Sequence, residues 1–66
     1  MTIEAELAAL HQPLLRFAHA QLRNDSMAED VVSETFLAIL EKPDDFAGRS
    51  TLRTYATGIL LSLIHI

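Results

Sequence analysis

SMAEDVVSETFL, residues 26–37, has the spacing of a helix with one buried side. If the count continues to residue 39, apolar side chains and one threonine recur at positions i, i+4, i+7, i+8 and i+11: Ala28, Val32, Thr35, Phe36 and Ile39. This periodicity is typical of an amphipathic helix that packs one face on a core. The stretch therefore predicts the central helix of the chain.

The start of this helix is predicted from Ser26 and Glu29, which have the spacing of a capping box. In that motif the serine oxygen accepts a hydrogen bond from an amide of the first turn, and the glutamate reaches back to the serine amide. We therefore expect the helix to begin at Met27. It should end near Glu41, because Pro43 follows.

The residues before the central helix are also helical in pattern, with Pro13 as a break. Thr2 can cap a first helix over about residues 3–11. Pro13 should end or kink that helix and then begin a second one that runs to about Arg23. The turn RNDS, residues 23–26, leads into the central helix.

After the loop KPDDFAGRS, residues 42–50, the pattern predicts a last helix capped by Ser50 or Thr51. Strand signals are nearly absent, since no stretch alternates cleanly between apolar and polar residues. We expect an all-α fold, a small bundle of three to four helices. Residues 1–60 should form the domain, and residues 61–66 an atypical apolar tail.

Composition limits the class of protein. The chain has 66 residues, no cysteine and a net charge of −4. Residues 1–45 hold all nine acids and three bases, a balance of −6, whereas residues 46–66 hold two arginines and no acid. A chain so poor in bases should bind nucleic acid weakly by itself, because affinity grows with the number of phosphates neutralised. The acidic start MTIEAELAAL is unlike a signal peptide, so we expect a cytoplasmic protein.

A second strip of residues on the central helix is not explained by the core. Asp30, Glu34, Leu37 and Glu41 follow i, i+4, i+7 and i+11 spacing on a face separate from the apolar one. Asp30 and Glu34 should repel each other there. The strip is either a solvated face or a docking surface for an arginine-bearing helix with Leu37 as its apolar anchor. Spacing alone leaves both open.

Catalytic chemistry has little support. His11 and His19 are eight residues apart with Pro13 between them, which argues against a shared metal. Asp44 and Asp45 are adjacent and have the character of solvated loop acids. There is no pairing of a nucleophile with a base and no glycine-rich phosphate loop. We expect no catalytic residue, no metal site and no cofactor, and therefore a protein that is not an enzyme.

Three short pieces carry a family resemblance: AEDVVSETFL at 28–37, FAGRS at 46–50 and LRTY at 52–55. With them, residues 7–60 resemble region two of a bacterial RNA polymerase sigma factor of the extracytoplasmic-function type, in the sigma-70 family. The resemblance implies a transcription initiation factor that docks on RNA polymerase core and contributes to recognition and melting of the promoter −10 element. The alternative is a small helical interaction module without DNA activity, either a self-associating bundle or a binder of polymerase or an anti-sigma factor.

The resemblance also implies two sets of site residues. The polymerase-binding set, facing the clamp helices of the β′ subunit, is Asp30, Ser33, Glu34 and Leu37; the family usually has glutamine where this chain has Ser33. The DNA-binding set, facing the non-template strand, is Phe46, Gly48, Arg49, Ser50, Arg53 and Tyr55. Core packing is the alternative role for the two aromatic residues.

The chain departs from the family after Leu60, where the tail LSLIHI replaces a basic, polar stretch. Family positions for asparagine, lysine and aspartate fall at Ser62, Leu63 and Ile66. The tail is far shorter than the roughly 20 residues that cross a bilayer, so no membrane association is expected. We expect a truncated region two that binds DNA weakly and self-associates through its apolar end.

Overall fold

The computed structural model describes residues 2–41 and 51–64, which form three helices. In chain order these are α1 (Ile3–Leu22), α2 (Asp25–Glu41) and α3 (Leu52–Ile64), and each helix contacts both others. The described residues contain no strand, and the all-α bundle is confirmed. None of their helices has the length and apolar character needed to cross a membrane.

Pro13 does not break α1, and the prediction of two helices in this stretch is wrong. One helix of 20 residues runs through the proline. Leu7, on one side of Pro13, and Leu14 and Ala18, on the other, are all at most 4% exposed. Because their i, i+7, i+11 spacing holds only on a continuous helix, burying them offsets the backbone hydrogen bond that proline cannot donate.

The cap of α2 is Asn24, so the predicted capping box of Ser26 and Glu29 is also wrong. The Asn24 Oδ1 accepts a hydrogen bond from the Met27 amide at 2.9 Å, and the Asn24 carbonyl accepts one from the Ala28 amide at 2.9 Å. Arg23 ends α1 in the left-handed conformation, with φ of 54°. The connection is therefore so short that the first residue able to cap, Asn24, takes that position, and asparagine caps as well as serine.

The predicted core stripe of α2 is confirmed for four of its five residues. Ala28, Val32, Thr35 and Ile39 are at most 1% exposed. The hydroxyl of the buried Thr35 donates a hydrogen bond to the Val31 carbonyl at 2.7 Å, which satisfies it. Phe36, the fifth residue, is half-buried at the edge of the core.

The other predicted caps agree with the structure. The Thr2 hydroxyl accepts from the Ala5 amide at 3.2 Å, and the Thr51 hydroxyl accepts from the Thr54 amide at 3.1 Å. Thr51 is thus the cap of α3, which buries Leu52, Ala56 and Leu60 against the other two helices.

The described part of the apolar tail, residues 61–64, continues α3 without interruption. Leu61 and Ser62 are exposed, whereas Leu63 and Ile64 are half-buried. This part of the tail therefore leaves less apolar surface open than its sequence implies. The domain boundary at residue 60 stays a prediction.

Candidate functional site

The acidic strip, defined as Asp30, Glu34, Leu37 and Glu41, lies on the outer side of α2. At 3.6 residues per turn, its centre is about 160° around the helix axis from the buried stripe. All four side chains are exposed, and Leu37 is 59% exposed. An apolar side chain this open between carboxylates does not contribute to the core. Ser33 is exposed on the flank of the strip, about 60° from Asp30.

The carboxylates of the strip have no cation partner among residues 2–41 and 51–64. The ion pair described in these ranges lies elsewhere, between His19 Nε2 and Asp25 Oδ1 at 2.8 Å. Asp30 and Glu34, four residues apart on one face, therefore repel each other without local compensation. Folding alone does not explain why both are present.

A groove borders the acidic strip, where α2 and α3 lie side by side. Its volume is about 360 Å³. It is lined by Glu34, Leu37, Ala38 and Glu41 of α2 and by Ile59 and Leu63 of α3. The contribution of α3 was missed from the sequence. The i, i+4 spacing of Ile59 and Leu63 is visible there, but apolar residues surround the end of that helix and hide it.

The structure does not bring together the two described residues of the predicted DNA-binding set. Arg53 is exposed and lines a groove against α1, whereas Tyr55 is half-buried and packs on the core. Two residues apart on a helix, their side chains point about 160° away from each other. Phe46, Gly48, Arg49 and Ser50 lie outside the described residues.

The two histidines with described side chains have separate surroundings. The ring of His11 lies edge-on to Phe36, with centroids 6.0 Å apart, and His19 pairs with Asp25 at the junction of α1 and α2. Within the described ranges, no group of three or more histidine, aspartate or glutamate side chains is arranged to hold a metal ion.

Taken together, the geometry is that of a helical docking module, since one helix gives its apolar side to the core and an uncompensated acidic side to solvent. The family model described as Sigma-70 region 2 matches residues 7–65, and the chain belongs to this family of transcription factor domains. In sigma factors, region 2 has a role in RNA polymerase binding and promoter melting, and it is not an enzyme domain. Comparison with curated proteins and with solved structures gave no significant match.

The match confirms the resemblance to region two of the sigma-70 family that the sequence carries. It extends to residue 65 and so includes most of the apolar tail. Assignment to the extracytoplasmic-function type stays a prediction.

Proposed function

We infer that this chain is a transcription initiation module that docks on RNA polymerase core through the acidic strip and contributes to recognition and melting of the promoter −10 element. The single observation that supports it best is the exposure of two uncompensated carboxylates and Leu37 on the side of α2 opposite the core. The partner is a pair of basic helices, the β′ clamp helices. With polymerase as its partner, the module acts in the cytoplasm.

Docking gives the acidic strip an energetic role that the isolated chain does not. In water, opposite charges 4 Å apart attract by only about 1 kcal/mol. At an interface that excludes water, close charge pairs couple by roughly 1.5–7 kcal/mol. Arginines placed opposite Asp30 and Glu34 would relieve their mutual repulsion and form charge-assisted hydrogen bonds, while Leu37 would lose its exposed apolar surface. Ser33, on the flank, would contribute a short polar contact.

The DNA-facing role rests on fewer residues. Arg53 is exposed and free to approach a phosphate, and Arg49 lies a few residues earlier in the sequence. Phe46, Gly48, Ser50 and Tyr55 complete the proposed set, in which an aromatic ring packs on or beside a base and glycine permits close approach of the backbone. With two arginines, contact with the non-template strand should be weak unless polymerase delivers the module to it.

A second candidate function follows from the same scarcity of bases. Arg53 is the one basic residue among the described residues of α3. A module of this kind can bind polymerase, or an anti-sigma factor, through the acidic strip without acting on DNA. The apolar end of the chain, where Leu61 is exposed, would then favour self-association.

The experiment compares two double variants in binding to RNA polymerase core at low salt. Asp30→Ala with Glu34→Ala removes the two central carboxylates of the strip, and we expect binding to weaken by about 2–4 kcal/mol, or roughly 30- to 1000-fold. Glu4→Ala with Glu6→Ala is the matched control. It makes the same change in net charge on exposed residues of α1, so it should alter binding little.

The two variants should also differ in stability. Alanine favours helix formation and the strip variant removes a repulsive pair, so its thermal midpoint should stay equal or rise slightly. If the strip variant binds core as tightly as the parent chain, the docking role of Asp30 and Glu34 is wrong. If both double variants weaken binding equally, net charge rather than a docking face is responsible.

A further inference from the structure

We propose that the groove between α2 and α3 receives a cationic amphipathic helix, so that the docking surface includes Ile59 and Leu63 of α3 in addition to the acidic strip. This inference rests on the proposed function, because it specifies the shape and chemistry of the partner at the same site. It adds residues from the end of α3 that the sequence resemblance does not assign to polymerase binding.

The groove combines an apolar floor with an acidic rim. Ile59 and Leu63 are half-buried and face the α2 residues Leu37 and Ala38 across it. Glu34 and Glu41 lie seven residues apart on α2, which places them about 10.5 Å apart along the helix axis. Because both acids are exposed and have no ion pair within the described ranges, their charge is available to a partner.

These dimensions specify the occupant. A partner helix that runs along the groove would place two cations seven residues apart beside Glu34 and Glu41, since it has the same rise per residue as α2. Between them, leucine or a similar residue at i+3 or i+4 would point to the floor. An uncharged apolar helix would leave the rim acids desolvated and unpaired, so charge selects the basic partner.

Leu63 and Leu61 form a matched pair of test positions on the same helix. Leu63 lines the groove, whereas Leu61 is 38% exposed and points about 160° away from it. Leu63→Ser should weaken binding of RNA polymerase core by about five- to tenfold, which corresponds to part of a leucine side chain left uncovered. Leu61→Ser makes the same chemical change outside the groove and should alter binding less than twofold.

A synthetic probe tests the groove without polymerase. The probe is an alanine-based helical peptide with two arginines seven residues apart and leucines between them, and its matched control has glutamine in place of both arginines. In titrations followed by amide chemical shifts of the full chain, the arginine peptide should perturb residues 34–41 and 59–63. Leu63→Ser and the glutamine peptide should each reduce the affinity at least fivefold.

The outcomes separate this inference from the proposed function. If the acidic-strip variant weakens polymerase binding while Leu63→Ser changes neither polymerase nor peptide binding, the groove proposal is wrong and the docking proposal stands. If the chain fails to bind polymerase but the peptide binds the groove with the expected charge dependence, the reverse holds. If sedimentation shows a dimer that Leu63→Ser dissociates without any effect on polymerase or peptide affinity, a second copy occupies the groove and the proposal is overturned.

Discussion

The junction of α1 and α2 allows a direct test of which residue caps the central helix. Asn24 accepts hydrogen bonds from two amides of the first turn, at 2.9 Å each, through its side chain and its carbonyl. Asn24→Ala removes the side-chain acceptor and leaves the Met27 amide to water. Loss of such a cap costs about 1 kcal/mol of stability. Ser26→Ala removes an exposed hydroxyl inside the helix and, since alanine is the better helix former, should cost nothing measurable.

The expected size of this effect in thermal unfolding follows from the length of the chain. An unfolding entropy of about 2.1 cal/mol/K per residue gives about 0.14 kcal/mol/K for 66 residues. A loss of 1 kcal/mol should therefore lower the midpoint by about 7 °C. Circular dichroism at 222 nm on the two variants and the parent chain measures this difference. A larger loss for Ser26→Ala than for Asn24→Ala would refute the assignment of the cap and restore the capping box of Ser26 and Glu29.

Two further predictions concern α1 and the DNA-facing role. Pro13→Ala should raise the free energy of unfolding by about 1–2 kcal/mol in urea titrations, because it restores a hydrogen-bond donor inside a continuous helix, and a lower value would show that α1 needs the proline. Binding of a single-stranded −10 oligonucleotide should be weak, with a slope of log affinity against log salt near −1.4 for two phosphates, and Arg53→Ala should reduce the slope by about 0.7. A parent slope steeper than about −4 would show that other residues contact DNA.

The parts of the fold that sequence predicts well are those set by a single helix. The buried stripe of α2 follows from its 3.6-residue period alone, and Thr2 and Thr51 each stand directly before an apolar periodic run. Pro13 was misread because the rule for proline is local, whereas Leu7 and Leu14 are held on one face by contacts with the rest of the bundle.

The choice between Asn24 and Ser26 as the cap shows a different limit. Both residue types cap helices well, and Ser26 has the added attraction of Glu29 three residues later. The choice depends on where the preceding helix ends, and that is set by the left-handed conformation of Arg23, whose amide donates to the His19 carbonyl at 2.7 Å. No periodicity in the sequence reports that conformation, because arginine rarely adopts it.

The candidate site divides in the same way. The acidic strip is readable from the sequence because all its members lie on one helix at fixed spacing. The groove is not, because it depends on which side of α3 faces α2, and apolar residues occupy most sides of the end of α3. Only the assembled bundle distinguishes Leu63, in the groove, from Leu61, outside it.

The acidic strip links stability to function through opposite signs. In the isolated chain Asp30 and Glu34 repel each other, at a cost of a few tenths of a kcal/mol, and neither contributes a contact to the core. Against a basic partner the same two charges should contribute several times that amount to binding. Substitutions along the strip should therefore separate into two groups: those that remove charge stabilise the chain and weaken docking, and those at the buried stripe destabilise the chain with little direct effect on affinity per folded molecule. A solvated face would give the first gain without the second loss, and this difference in sign distinguishes a docking surface from a face that merely keeps the helix in water.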